Sequence, residues 1–283
     1  MIEWKGKKVL ISGGFGMIGR ELIFLLLKEG ANVYVADKNV KTMFGVQVYH
    51  VNLTIYPDCQ QVCEGMDYVF HLAGIKGSPK MTNEKPCDFM VPMLQFDTNM
   101  IAAAQKAGVK KFLYTSSIAV EHPEEDKYPA HAKLTAELLL EAMKVQHPKG
   151  MEYVVVRPAN VYGRFDQWNE NSMVVTSLLH KAETEEKLSV WGDGTQIRDF
   201  INAKDVARGM IQAMEDSGNG PYNLCSGKGI TIKHLAEVIA RETGKEIVWD
   251  TTKPRGTDSR VMEINWDFKP EIEIEEGINQ CLN

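Results

Sequence analysis

The first half of the chain alternates short apolar runs with amphipathic stretches. "KKVLISGG" is an unbroken apolar run that ends in glycines, and "GMIGRELIFLLLKEGA" has helical length and stops at Gly30. "NVYVADK", "VQVYHVNL" and "MDYVFHLAG" read as second, third and fourth strands, rich in β-branched and aromatic residues. "QFDTNMIAAAQKAGV" reads as a helix, "KKFLYTSS" as a fifth strand, "HAKLTAELLLEAMKVQH" as a helix and "MEYVVVRPANVYG" as a sixth strand. Short apolar runs between helices are what a parallel sheet buried on both faces produces. The pattern therefore predicts an α/β fold with a doubly wound parallel sheet.

Near Gly163 the rhythm loosens. "NSMVVTSLLHKAETEE", "AKDVARGMIQAMEDSG" and "TIKHLAEVIARETG" are amphipathic helices, and "KLSVWGDG" reads as a strand and turn. The expected division is a sheet-bearing lobe over 1–163 and a smaller lobe over 164–283 that caps the carboxyl edge of the sheet. Some later segments are expected to return to the first lobe.

Composition narrows the role more than the fold. The chain has 283 residues, 44% hydrophobic and 25% charged, ordinary for a soluble globular protein. A net charge of -6 without a basic stripe disfavours a nucleic-acid partner. The start, "MIEWKGKKVLISGG", enters a strand directly, so no signal peptide is expected, and no apolar run reaches the length of a membrane span. The five cysteines are odd in number and scattered, which suits reduced thiols in a cytoplasm. Cys59 and Cys63 stand at i, i+4, a spacing that can share a metal, but no second pair or histidine cluster follows. Two thiols on one helix is the reading, with no metal.

The strongest local signal is "LISGGFGMIGRELI", where Gly13, Gly16 and Gly19 stand between a strand and a helix. Glycines allow a tight turn and a close backbone approach to a pyrophosphate, and the helix N-terminus offers N–H groups to it. With strand and helix in place, this is the arrangement of a Rossmann dinucleotide site. About twenty residues on, Asp37 ends the second strand, where a carboxylate accepts from ribose hydroxyls and repels a 2′-phosphate. NAD is thus expected before NADP, although Lys38 beside it is a cation that tolerates a phosphate.

The glycine spacing, "HLAG" at 71–74, "DTNMIAAA", "YTSS" at 114–117, Lys133 and "RPANVYG" at 157–163 together resemble the extended short-chain dehydrogenases/reductases. "VWGDGTQIRDFINAKDVA", "YNLCSGKGITIKHLAEVIA" and "WDTTKPRGTDSR" resemble its nucleotide-sugar branch, near the GDP-L-fucose synthases and 4-epimerases. The resemblance spans nearly the whole chain. It implies an NAD(P)-dependent epimerase or oxidoreductase, a nucleotide-diphosphate sugar as substrate, and a homodimer joined by a four-helix bundle from helices around 97–107 and 133–146. It also implies roles. Gly13, Phe15, Gly16, Met17, Ile18 and Gly19 line the pyrophosphate, and Asp37 with Lys38 lies at the ribose. Asn52 and Leu53 lie by the adenine, although an Asp is more usual where Asn52 stands. Leu72, Ala73, Gly74 and Lys76 run beside the cofactor, and Asn99 braces the site from its helix. Ser117 donates to the reacting sugar oxygen. Lys133 binds the nicotinamide ribose and lowers the pKa of a tyrosine. Pro158 and Asn160 approach the nicotinamide and the substrate diphosphate, and Arg198 and Arg260 pair with that diphosphate. Simpler roles compete: Ser117 as a cap, Arg198 as a partner of Asp199 or Asp205.

The chain departs from this family where the catalytic tyrosine belongs. Four residues before Lys133 stands Pro129, and Tyr128 is one place early. Five residues on a helix leave roughly 140° between two side chains, against roughly 40° for four. Because proline favours the first helical turn, the expectation is that the helix starts at Pro129 and that Tyr128, outside it, swings into the site as acid/base. His131 points to another face. The segment between Ser117 and Lys133 is also short for the family. The positions of the Cys and His that serve epimerisation in fucose synthases hold Ile118 and, nearby, Phe165, and no dehydratase acid follows Ser117. Hydride transfer at sugar C4 is the chemistry left: a 4-epimerase, 4-ketoreductase or 4-dehydrogenase. A dinucleotide-binding protein without turnover is the competing class.

Overall fold

The computed structural model describes residues 1–39, 41–75, 79–253 and 258–282. The chain forms two compact units, Met1–Arg157 with Ala207–Tyr222, and Pro158–Val206 with Asn223–Asn283. The first unit thus joins a segment that ends at Arg157 to a later one, Ala207–Tyr222.

In order, the first unit contributes β1 (Lys8–Ser12), α1 (Met17–Lys28), β2 (Asn32–Asp37), β3 (Val46–His50), α2 (Tyr56–Cys63), β4 (Tyr68–His71), α3 (Pro79–Glu84), α4 (Pro86–Ala107), β5 (Lys111–Thr115), a 3-10 turn (Ile118–Glu121), α5 (Lys127–Gln146) and β6 (Glu152–Pro158). Then come β7 (Asn160–Tyr162), α6 (Val174–Thr184), β8 (Leu188–Trp191), β9 (Ile197–Asn202), α7 (Ala203–Glu215), β10 (Tyr222–Leu224), β11 (Gly229–Thr231), α8 (Ile232–Thr243), β12 (Ile247–Asp250), β13 (Ser259–Arg260) and α9 (Ile274–Leu282).

The main sheet has the order β10-β6-β5-β4-β1-β2-β3. The pairs from β3 through β6 are parallel. The order 3-2-1-4-5-6 is that of a Rossmann fold, whose topological switch lies between β1 and β4. Leu10, Val69, Phe112 and Tyr114 of the strands form one apolar core with Met93, Phe96, Met100 and Ile101 of α4 and Ala132, Ala136 and Leu140 of α5. The second unit has its own core, built on Tyr162, Leu178, Leu188, Phe200, Leu235, Ile239 and Ile278. Its β9 pairs with β7, β11 and β13.

Four elements differ from expectation. The sixth strand breaks at Ala159, whose N–H turns to Leu224 O at 2.9 Å, and Asn160–Tyr162 joins β9 instead. Helix α4 starts at Pro86 and runs through Pro92, which removes one helical hydrogen bond. Phe89, Met93 and Phe96 are buried on one face there, so packing outweighs that loss. The tail forms α9, absent from the pattern reading because "EIEIEE" alternates like a strand. Helix α5 begins at Lys127 and not at Pro129.

Candidate functional site

The turn after β1 is shaped by contact between backbones. Gly13 has φ 68°, and a Cβ there would stand 2.9 Å from Ala73 Cα. A Cβ on Gly19 would stand 2.6 Å from Gly14 O. Gly16 N–H donates to Gly13 O at 3.0 Å, and its carbonyl caps α1 by accepting from Arg20 N at 3.1 Å. The first turn of α1 has no acidic residue and no side-chain cap. Its leading N–H groups have no acceptor within the helix, so it presents a positive end to an anion. Phe15 is buried here, and Met17 and Ile18 are half-buried. A side-chain-free turn on a helix N-terminus fits the pyrophosphate of a nicotinamide dinucleotide.

Around the turn, Asp37 is buried at the end of β2. Its Oδ1 accepts from Asn39 N at 2.9 Å and Asn39 Nδ2 at 3.0 Å, and its Oδ2 from Phe15 N at 3.3 Å. Asp37 thus ties the glycine turn to β2 and keeps acceptor capacity for a ribose. Lys38 is exposed, with its carbonyl bonded to His50 Nε2 at 2.7 Å. Asn52 opens the turn into α2 and accepts from Thr54 N and Oγ1. Asn99 Nδ2 donates to Leu53 O at 3.1 Å, so it braces that turn from α4. Leu72 and Ala73 both donate their N–H to Ser12 Oγ at 3.2 Å, and Gly74 is exposed. Lys76 lies outside the described residues.

Beneath this turn runs a buried polar row to which the sequence reading assigned no role. Ser12, His71 and Tyr114 are register partners across β1, β4 and β5. Ser12 Oγ lies 2.6 Å from His71 Nδ1, and His71 Nε2 lies 2.9 Å from Asp97 Oδ1. Tyr114 O–H donates to Asp97 Oδ2 at 2.6 Å. Lys133 Nζ stands 3.6 Å from the same oxygen and 4.7 Å from the Tyr114 ring centroid. Burial alone would push Asp97 up, but the Lys133 ammonium, with His71 and Tyr114, holds it below the usual carboxylate range. Burial and Asp97 together push Tyr114 well above the usual phenol range, so it stays a donor. The trio of Ser12, His71 and Asp97 has the composition of a hydrolase triad. Their exposures of 0%, 1% and 0% deny it any substrate. The signal for Asp97 was in the pattern: an acid at a core position of an amphipathic helix.

Helix α5 places the remaining expected residues. Tyr128 lies inside its first turn and is half-buried. This corrects the expectation of a tyrosine outside the helix. Pro129 sits where a helical N–H needs no intrahelical acceptor, so the helix starts ahead of it. Tyr128 and Lys133 are then five helical residues apart, roughly 140° around the axis, and do not reproduce Tyr-x-x-x-Lys. His131 is exposed, its Nδ1 bonded to Lys127 O at 2.6 Å. Ser117 Oγ accepts from Ala119 N at 3.1 Å and caps the 3-10 turn. That bond uses a lone pair, so its hydrogen is left for another acceptor. Next to it, Ser116 Oγ donates to Glu137 Oε1 at 2.5 Å. Glu137 is held by Arg157 at 3.1 and 2.6 Å, and Arg157 also reaches Glu121 at 2.7 Å.

In the second unit, Arg198 and Arg260 occupy partner positions on parallel strands β9 and β13. Arg198 Nη1 donates to Ile197 O at 2.7 Å. The carboxylate of fully buried Asp199 accepts from Ser226 N and Oγ and from Gly227 N. That of Asp205 accepts from the N–H groups of Glu271 and Ile272. Asn160 Nδ2 donates to Asp199 O at 2.8 Å, and Pro158 is buried at the end of β6. Cys59 and Cys63 lie buried on α2, and burial pushes both thiols up to about 12. Cys59 Sγ donates to Leu53 O. Among the described residues, the only group with metal-ligand spacing is His122, Glu124 and Glu125, at the surface.

Known proteins share this architecture along nearly the whole chain, at 24–29% identity. A probable GDP-L-fucose synthase 1 from Oryza sativa subsp. japonica is 29% identical over 309 residues, covering 97% of this chain and 90% of its own. An epimerase structure from Methanothermobacter thermautotrophicus superposes with TM-score 0.87 at 24% identity, covering 98% of this chain and 91% of its own. The UDP-glucose 4-epimerase of Thermotoga maritima, solved with UDP-glucose, does so with TM-score 0.86 at 24% identity, covering 97% of each chain. The family model of NAD dependent epimerases/dehydratases matches residues 9–225. With that match over most of its length, the chain belongs to the NAD dependent epimerase/dehydratase family.

Proposed function

We propose that this protein is an NAD-dependent enzyme that acts on a nucleotide-diphosphate sugar by hydride transfer at sugar C4, as a 4-epimerase, 4-ketoreductase or 4-dehydrogenase. The observation that carries the reading is the pairing of Arg198 with Arg260 on adjacent strands, in a chain that also has a bare dinucleotide turn. Two guanidinium groups at partner positions suit a ligand with two phosphates. Two of the three relatives named above are called after nucleotide sugars.

When bound, the nicotinamide supplies the acceptor or donor of hydride. This chain's residues supply the rest. Gly13 to Gly19 hold the pyrophosphate, and Asp37 takes the ribose hydroxyls, which favours NAD over NADP. Lys133 reaches the nicotinamide ribose, and Ser117 donates its hydroxyl hydrogen to the sugar oxygen. Ile118 and Phe165 carry no exchangeable proton, so no further epimerisation chemistry is assigned. Tyr128 is the one expected acid/base that the helix turns away, so solvent water would take the hydroxyl proton when C4 is oxidised and return it when C4 is reduced. A true general acid/base contributes on the order of 10²–10⁴-fold. The Tyr128→Phe variant is expected to lose less than that.

Purified protein with bound cofactor, mixed with GDP-, UDP-, CDP- and dTDP-sugars, is expected to develop reduced-nicotinamide absorbance with one of them. A 4-ketoreductase responds instead to a keto-sugar, with reduced cofactor consumed. If bound cofactor answers to none of these, the second reading holds: a dinucleotide-binding protein without turnover, which the position of Tyr128 favours. A homodimer through α4 and α5 is part of the proposal. Val91, Leu138 and Val145 are exposed apolar residues on those helices, and a solution mass of one chain would count against it. No described helix is long and apolar enough to cross a membrane. A cytoplasmic setting is proposed from the reduced thiols.

A further inference from the structure

Asp97 stands where the period of α4 asks for an apolar residue. Phe96, Met93, Met100, Ile101 and Ala104 share its burial. An ionised carboxylate in such a place is costly unless it is paired and hydrogen-bonded. The hydrogen bonds around it assign one pattern of protons, with the Leu72 N–H shared between Ser12 Oγ and Ser12 O. Ser12 Oγ faces two N–H donors, those of Leu72 and Ala73, and can only accept from them. Its own hydrogen therefore goes to His71 Nδ1. A ring nitrogen that accepts carries no proton, so His71 holds its proton on Nε2 and donates it to Asp97. Tyr114 donates to the other oxygen. Asp97 only receives: it is a carboxylate, and Lys133 is the cation beside it. His71 of β4, Tyr114 of β5 and Lys133 of α5 are the titratable groups that face it.

We propose that Asp97 is the positioning residue for Lys133, and that the train Ser12–His71–Asp97 locks the lysine ammonium to the turns after β1 and β4 that receive the dinucleotide. The proposal rests on the reading of Lys133 as a ligand of the nicotinamide ribose. Asp97 is fully buried and touches no cofactor. It acts by fixing where the ammonium stands and by joining it to the amides of Leu72 and Ala73. An asparagine at 97 has nearly the same shape but no charge: its amide oxygen would still face Tyr114 and the ammonium, while its NH2 would meet the Nε2 proton of His71 and the ammonium would lose its counter-charge.

The test measures NAD and NADP affinity by calorimetry for the wild type, Asp97→Asn, Lys133→Met and the double variant, with urea unfolding midpoints alongside. Each single variant is expected to bind at least about tenfold more weakly, and the double no more weakly than Lys133→Met alone. In the wild type, 15N–1H correlation of the imidazoles is expected to show His71 protonated on Nε2. A folded Asp97→Asn protein with wild-type affinity overturns the proposal. So do losses that add in the double variant, or a His71 proton on Nδ1. Should Asp97→Asn not fold, Lys133→Arg decides. It keeps the charge but moves it, so weaker dinucleotide binding at an unchanged midpoint supports the proposal, and unchanged binding overturns it. A wild type that binds neither dinucleotide defeats the functional reading instead, while the His71 spectrum still tests the train.

Discussion

At the scale of single residues, the buried carboxylate of Asp97 makes the first unit depend on its counter-ion. Removing one partner of a buried pair leaves an uncompensated charge, at a cost of about 3–5 kcal/mol. Lys133→Met is expected to lose stability of that order in urea unfolding, and far less when Asp97→Asn accompanies it. A Lys133 variant without activity thus reports on folding as well as on catalysis. The same pair gives a pH signature. The folded-state value of Asp97 lies below the unfolded value of about 3.9. Its contribution is complete above that value and is lost as pH falls through the folded one. The urea midpoint is expected to hold from pH 7 to about 5, then fall below about 4, and to fall less steeply in Asp97→Asn. The thiols make a second residue-scale prediction. Burial pushes Cys225 up to about 12 and Cys281 to about 11, as it does Cys59 and Cys63, so all four stay protonated at neutral pH. Cys87 is exposed. A thiol reagent at pH 8 is expected to label Cys87 first, and Cys87→Ser to remove the fast phase.

At the scale of elements, the first turn of α5 decides how the chemistry is organised. Position 129 lies one turn before Lys133 on the same stripe, and position 128 does not. Pro129→Tyr puts a phenol there and gives up a proline whose missing N–H had no intrahelical use. That variant is expected to gain in hydride-transfer rate, followed by cofactor absorbance, toward the lower end of the 10²–10⁴-fold range of a positioned acid/base. No gain would mean that proton transfer does not limit turnover. This element also shows what the sequence revealed and what it did not. The strands and the glycine turn were legible because β-branched runs and glycines answer to local rules. The start of α5 was not, because proline is tolerated anywhere in the first turn. The polar row was hidden for another reason. Ser12, His71, Tyr114 and Asp97 lie on four separate elements, and only the register of β1, β4 and β5 together with the packing of α4 brings them together. Asp97 alone left a trace, as an acid in an apolar stripe.

At the scale of the whole molecule, the proposed function assigns two recognition tasks to two units that are not contiguous in sequence. The first unit ends at Arg157 and takes back Ala207–Tyr222, a division invisible to a reading by composition, since its second crossing lies within α7. The glycine turn, Asp37 and Lys133 belong to the first unit, and Arg198 and Arg260 to the second. Ligand by ligand, the proposed function therefore makes separable demands. A charge-assisted hydrogen bond is worth about 1.5–3 kcal/mol, so Arg198→Ala or Arg260→Ala is expected to weaken binding of a nucleoside diphosphate roughly tenfold to a hundredfold. Neither should change NAD affinity measured without sugar. Gly13→Ala should do the reverse, since its Cβ would strain a left-handed turn against Ala73 and disturb the pyrophosphate seat alone. Calorimetry with NAD and with GDP and UDP on these three variants checks the division. Arginine variants that bind the diphosphate normally would remove the substrate class from the proposal and leave the dinucleotide site standing.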